Sequence, residues 1–363
     1  MQMHLIKFPL ILLSFTSFSL FADSGSLSKS HSHAASGARA IDHAPIGVMA
    51  DHYHKKGESM ISVRQGFMDM SGNAFNGSHI SNSSILAMPN PLGNMPANLS
   101  VVPVEMDMQM TMAGAMYAPS DQVTLMAMAM YMSKEMSLNT YAPMMDRALV
   151  GEFNTSSSDL SDISLGALIK LQETDSSRWH AEVTVQKSIG DNDAKDLVLT
   201  PMGMNMGMIL PYGMQAGDDA SRLVLGITNV KSLGEKIVWG NQLRGKFVVS
   251  DNDWSFGDQF ELNTWMQYEL NQSLSFSSRL KFVHQDKLSG SNSMIAAPVQ
   301  TANPENYGGR EIHFALGVNF IAHILPGQAD RFGLELVTPI EQDKNGLQME
   351  TNYQFIFGYQ KAF

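Results

Sequence analysis

Between Glu105 and Met132 methionine falls on every second residue, first at Met106, Met108, Met110 and Met112 and then at Met126, Met128, Met130 and Met132. A period of two is the side-chain period of a β-strand, so each run places its thioethers on one face of a sheet. Tyr117-Ala118-Pro119-Ser120-Asp121 lies between the runs. Its Pro-Ser-Asp chemistry suits a tight turn and makes the two runs neighbouring antiparallel strands.

The same alternation extends over the chain, with twelve segments between residues 58 and 363 and no convincing helical repeat. The first covers residues 58–70, the second 101–118, the third 122–136, the fourth 159–172 and the eleventh 330–339. Connections alternate between short ones, such as Asn271-Gln272, and long ones, such as 71–100 and 191–219. Short turns at one rim and long loops at the other are the pattern of a transmembrane up-and-down β-barrel. A secreted β-sandwich also alternates, but its strands are usually about 5–6 residues long. Near the C-terminus Leu347, Met349, Tyr353, Phe355, Phe357, Tyr359 and Phe363 are expected to oppose Gln348, Glu350, Asn352, Gln354 and Gln360, which fits lipid outside and water inside. The expectation is an all-β fold, an antiparallel barrel of about twelve strands over residues 57–363. Both of its ends would be periplasmic, and Phe363 would form a terminal signal for the outer-membrane assembly machinery.

Upstream, Lys7 precedes an apolar stretch from Phe8 to Phe21, and Ala22 precedes Asp23. This is the layout of a secretory signal peptide over residues 1–22. Residues 23–56 are rich in Ser, Ala, Gly and His, and read as a mostly unstructured leader that could plug the barrel. The formal charge of −11 and the lack of a basic stripe argue against nucleic acid as a partner. Cysteine is absent, so any soft ligand must be methionine or histidine.

Parity against polar neighbours assigns faces. Glu105, Asp107 and Gln109 form a polar series expected to line the lumen, which turns Met106, Met108, Met110 and Met112 towards lipid. In the third strand Val123, Leu125 and Tyr131 suit lipid, so Met126, Met128, Met130 and Met132 are expected to face inward. Arg279 and Lys281 are further lumen-lining candidates, within a set of internal ion pairs joining Arg222, Arg244 and Lys246 to Glu182, Glu261, Glu269, Glu311 and Glu335. Thioethers select Cu(I), yet methionine also fills irregular apolar gaps.

Histidine crowds into residues 31–54. His31, His33, His43, Asp51, His52 and His54 offer nitrogen and oxygen donors close enough in sequence to share a metal ion, with copper the candidate, although a solvated polar leader has the same composition. A third cluster, Met202, Met204, Met206 and Met208, sits among glycines in a long loop that could reach the mouth. His180, His284 and His313 lie on expected strands without a Ser or Asp/Glu motif around them, so no catalytic residue is assigned and a lipase- or protease-type barrel is the remote alternative.

The stretch Ala44-Pro45-Ile46-Gly47-Val48-Met49-Ala50-Asp51-His52-Tyr53-His54-Lys55-Lys56-Gly57-Glu58, the methionine-rich strand pair, and Asn306-Tyr307-Gly308-Gly309-Arg310 resemble outer-membrane proteins grouped as transporters of the phenol meta-degradation pathway. The resemblance runs from Ala44 to Phe363. It implies an outer-membrane β-barrel with the lipid bilayer and a small solute as partners; it assigns neither a substrate nor a cofactor. The expected function is a passive, selective channel or transporter for a small solute. Two alternatives stand beside it, copper handling by the His leader and lumenal methionines, and an apolar or aromatic solute held by those same methionines.

Overall fold

The computed structural model describes residues 39–93, 95–144, 146–325 and 329–363. The signal peptide lies outside them. Twelve long strands make the barrel. They are β1 (Ser59–Phe75), β2 (Val101–Ser120), β3 (Val123–Tyr141), β4 (Leu149–Glu173), β5 (Ser177–Ser188) and β6 (Ser221–Ser232), followed by β7 (Ile237–Ser250), β8 (Gln259–Asn271), β9 (Leu274–Gln285), β10 (Gly309–Ala322), β11 (Asp330–Lys344) and β12 (Leu347–Ala362). Each pairs antiparallel with its neighbours in sequence, and β1 pairs with β12 to close the sheet. Closure leaves no sheet edge unpaired, the condition for a sheet to sit in lipid.

Connections are short at one rim, as between Ser120 and Val123 or Asn271 and Leu274, and mostly long at the other. The chain enters and leaves at the short-turn rim. Ser59 and Phe363 exchange backbone hydrogen bonds there at 3.2 and 2.8 Å, and Gly57 N–H reaches the Ala118 carbonyl beside the β2–β3 turn.

Four strands exceed their expected bounds by five residues or more: β1 runs to Phe75 rather than 70 and β3 to Tyr141 rather than 136. β4 begins at Leu149 rather than 159, and β11 runs to Lys344 rather than 339. The extra part of β4, through Asn154-Thr155-Ser156-Ser157-Ser158-Asp159, carries no apolar alternation, because its outer face stands in water rather than lipid. A bulge at Ser161 shifts the inward parity between this part and the part nearer the short turn.

Apolar side chains such as Leu165, Val185, Leu243, Leu316 and Leu336 are exposed on the outer face. A continuous apolar belt of this kind is solvated by lipid, not water. Among the described residues no helix is long and apolar enough to cross a membrane; the strands do the crossing.

Candidate functional site

Residues 39–54, most of the second half of the stretch read as an unstructured leader, fold inside the barrel, with Lys55 and Lys56 exposed at the short-turn rim. Ala40, Ile41, Ala44, Ile46 and Val48 are buried, as are His43, Asp51, His52 and His54. Low hydrophobicity suggested disorder, but here the partners are inward-facing polar groups of the wall. Gln267 and Asn319 donate to the His43 carbonyl at 2.7 and 3.2 Å, Gln242 donates to Met49 O at 2.8 Å, and His180 Nε2 to Ala50 O at 2.8 Å. Gly47 N–H donates to Glu335 Oε2 at 3.0 Å and His54 N–H to Thr124 Oγ1 at 2.9 Å. Trp265 packs on Ala44 and Val48, its ring lying over Gly240, where a Cβ would meet it at 2.0 Å.

Cross-strand partners reveal which face the methionines occupy, because residues directly opposite one another project to the same side. Met108 stands opposite Lys134, Met110 opposite Met132, Met112 opposite Met130 and Met116 opposite Met126. Lys134 is buried, and its ammonium donates to the Gly213 and Gln215 carbonyls at 2.9 and 2.6 Å, inside the mouth. Both methionine runs therefore face the lumen. Met70 and Met68 of β1 continue the rungs opposite Met106 and Met108, and Met60 lies opposite Met116. Three neighbouring strands thus present one thioether wall.

This corrects the parity of β2. Glu105, Asp107 and Gln109, expected to line the lumen, are exposed on the outer face. β2 is 20 residues long, about twice what crosses a bilayer. Its outer face is polar where it stands beyond the membrane and apolar only nearer the short turn, at Ala113, Ala115 and Tyr117. Asp107 faces Asp69 on one side and Glu135 on the other, a like-charge row that only water can relieve.

Four of the five expected lumenal cations pair with carboxylates; among the described residues Lys246 makes no ion pair, and the buried Lys134, Arg64 and Arg331 meet only neutral groups. Arg279 meets Glu335 in a two-pronged pair at 2.9 and 2.8 Å, with Asn263 accepting at 2.7 Å. Lys281 lies 2.8 Å from Glu261. Arg244 clasps Glu182 at 2.8 and 2.9 Å, and Arg39 of the inner segment reaches Glu269 at 2.9 Å. Arg222 pairs not with a strand glutamate but with Asp218 of the β5–β6 loop, at 3.0 Å, and that loop is thereby anchored in the mouth.

At the turn of the inner segment Ala50 takes φ 52°, a left-handed conformation that residues with a Cβ seldom adopt. The turn presents a compact donor cluster. Donor atoms of His43, Asp51 and His52 all lie within 4.8 Å of one another. His52 Nδ1 sits 2.9 Å from Asp51 Oδ1, Ala44 N–H donates to Asp51 Oδ2 at 2.9 Å, and the His43 and His52 rings meet edge-on at 4.2 Å. Burial pushes the His43 imidazole well below its ordinary pKa, with the His52 ring and Arg331 adding to the shift, so it is neutral at pH 7. His54 stands beside this cluster, its ring 4.9 Å from that of His52 and its Nδ1 3.5 Å from Glu58. His31 and His33 lie outside the described residues. Of the other histidines, His180 is used by Ala50, His313 is buried near Glu311 and His284 is outside with Asp286.

The long loops roof the opposite end. Tyr212, Met214, Trp254, Leu288, Ile295 and Val299 form a buried apolar cluster with Met106 and Met136 of the wall. Met202, Met204 and Met206 do not join it; they stay exposed on the hairpin of Lys195–Leu199 with Asn205–Ile209, and only Met208 packs against the cluster. Among the described residues two spaces open along the thioether wall. One, beside the inner segment, is bordered by Asp51, His52, Arg64, Met112, Met116, Met126 and Met128. The other, beneath the β5–β6 loop, is bordered by Met130, Met132, Lys134, Asp162, Arg222 and Lys246. Met128 and Met130 are successive inward positions on β3, so the thioether wall runs from one space to the next.

The closed barrel has a solved counterpart. An outer membrane channel from Pseudomonas putida F1 superposes with a TM-score of 0.54 at 14% identity, over 86% of this chain and 97% of its own. This chain has that channel's fold. The Pseudomonas putida toluene transporter TodX aligns at 9% identity and TM-score 0.40, covering 85% and 90% of the two chains. A Pseudomonas aeruginosa FadL homologue aligns at 8% and 0.37, covering 86% and 91%. No protein-family model matches the chain. No curated protein matches it by sequence.

Proposed function

We propose that this protein is an outer-membrane channel that passes a small solute passively and selectively, with the inner segment as its plug. The observation that carries this reading is the position of the remaining space. Inner segment and roof leave space along the thioether wall, one part lined by β1–β3 and the other reaching from Met130 and Met132 of β3 across to Arg222, Lys246 and Gln285. A twelve-stranded lumen filled in this way is too narrow for a general pore. The likeness in fold to an outer membrane channel supports the same assignment. On this reading the short-turn rim faces the periplasm, and Phe363 is the residue read by the assembly machinery.

Planar-bilayer recording tests it. The intact protein should give small, solute-dependent conductance, and Ile46→Asp, which disrupts the apolar seat of the inner segment, should raise conductance severalfold. A barrel that stays closed to ions and small solutes in both forms would overturn the reading.

The wall suits two classes of solute, an apolar or aromatic compound and a soft metal ion. A deletion strain grown on copper and on aromatic carbon sources separates them, since each predicts a defect in one condition alone.

A further inference from the structure

We propose that the imidazoles of His43 and His52 bind a Cu(I) ion inside the lumen, and that the ion passes from them to the thioethers of the β1–β3 wall. The inference rests on the conduit reading and names its solute as a soft monovalent cation.

His52 is arranged as metal-binding histidines are. A carboxylate on one ring nitrogen leaves the other as a free lone pair and fixes the ring; here Asp51 Oδ1 is 2.9 Å from Nδ1, while Nε2 is buried without a hydrogen-bond partner. His43 Nδ1 is likewise buried and unpartnered. Leaving such atoms dry and unpaired is costly, and a metal ion would satisfy both. Donors bound about 2.1 Å from one ion stand at most about 4.2 Å apart. One donor atom from each of His43, Asp51 and His52 lies within 4.8 Å of the others, and the two rings meet at 4.2 Å, so side-chain rotation brings His43 Nδ1 and His52 Nε2 to one ion. Asp51 is a positioning residue in this scheme, both oxygens being engaged by His52 and by Ala44 N–H.

Geometry and charge select the ion. Asp51 and His52 border the same space as Met60, Met112, Met116 and Met126, so an ion released by His43 to His52 stands next to thioethers. That donor set suits Cu(I), whereas Zn(II) lacks the thiolates or further carboxylates it favours. The Arg64 guanidinium reaches into the same space and contacts Met49 Sδ, which penalises a divalent ion more than a monovalent one. Opposed methionines such as Met116 and Met126, or Met112 and Met130, have Cβ atoms about 5 Å apart. Successive rungs lie about 7 Å apart along the strand. An ion can therefore exchange one thioether at a time without crossing open water.

The test uses the full chain carrying His31→Ala and His33→Ala, so that those two histidines cannot contribute. Anaerobic titration with Cu(I) against a chromogenic chelator should show about one tight equivalent with a mixed nitrogen and sulfur shell by X-ray absorption. Asp51→Asn should weaken it about 10- to 100-fold, and His52→Gln at least as much, with heat-modifiable migration verifying the closed barrel. Met112→Leu with Met126→Leu, near-isosteric and safe for folding, should reduce the sulfur contribution while leaving the nitrogens. Absence of chelator-competitive Cu(I) binding, Zn(II) binding in preference to it, or a shell without sulfur would overturn the proposal. A barrel that conducts other solutes but binds no Cu(I) would refute this site alone; one that binds Cu(I) yet never conducts would refute the conduit instead, and with it the passage step.

Discussion

Ile46 is keyed against Gly358: a Cβ built on that glycine would lie 2.6 Å from Ile46 Cδ1. Gly333, paired with Gly358 on the next strand, leaves the same opening, with 2.7 Å from its Cβ to that of Ile46. The barrel wall is thus notched where the inner segment presses its buried isoleucine. Gly358→Ala is expected to cost about 1–3 kcal/mol of docking through overpacking. The barrel should keep its heat-modifiable migration while the Gly47 and Val48 amides, hydrogen-bonded in the docked segment, exchange hydrogen faster.

Ala50→Gly is expected to act in the opposite direction. The left-handed conformation costs a residue with a Cβ about 1–2 kcal/mol and glycine almost nothing. Held by His180 and Gln242, the turn should dock more firmly, and the Gly47 and Val48 amides should exchange hydrogen more slowly than in the parent.

Glu335 serves both Arg279 and the Gly47 N–H. Arg279→Ala should destabilise the barrel by about 3–5 kcal/mol, because a buried carboxylate is left without its counter-ion. Replacing both partners, as Arg279→Met with Glu335→Leu, should recover most of that loss. Thermal unfolding in detergent, followed by circular dichroism, checks the double-mutant cycle.

The chain has no cysteine, so single substitutions report the faces of β2 cleanly. Asp107→Cys should react rapidly with a membrane-impermeant maleimide on intact cells. Met108→Cys, one residue along and turned into the lumen, should react at least about tenfold more slowly, following its occlusion. Equal rates would return the methionines to the outer face.

Trp179 and Trp239 are exposed at 37% and 39%, near the short-turn rim, whereas Trp254 and Trp265 are buried inside at 2% each. Brominated lipid should therefore quench the fluorescence of a Trp254→Phe, Trp265→Phe variant as strongly as that of the parent. The complementary variant, Trp179→Phe with Trp239→Phe, should lose nearly all the quenching.

Alternation alone determined the strands, their antiparallel order and the rim with short turns, since a period of two and Pro-Ser-Asp or Asn-Gln turns are local properties. It also determined that Met106, Met108, Met110 and Met112 share one face, and that Met126 to Met132 share one. Which face that is depends on the partner strand and on where water begins along it. Glu105, Asp107 and Gln109 are polar because β2 outruns the bilayer, a length that no neighbouring residue encodes, and only the pairing of Met108 with Lys134 turned the whole run inward. Likewise the crowding of His43, Asp51 and His52 was legible as composition. Their convergence beside the thioether wall was not, because it follows from the fold of residues 39–54 against side chains 130 to 290 positions away, including His180, Gln242, Asn319 and Glu335.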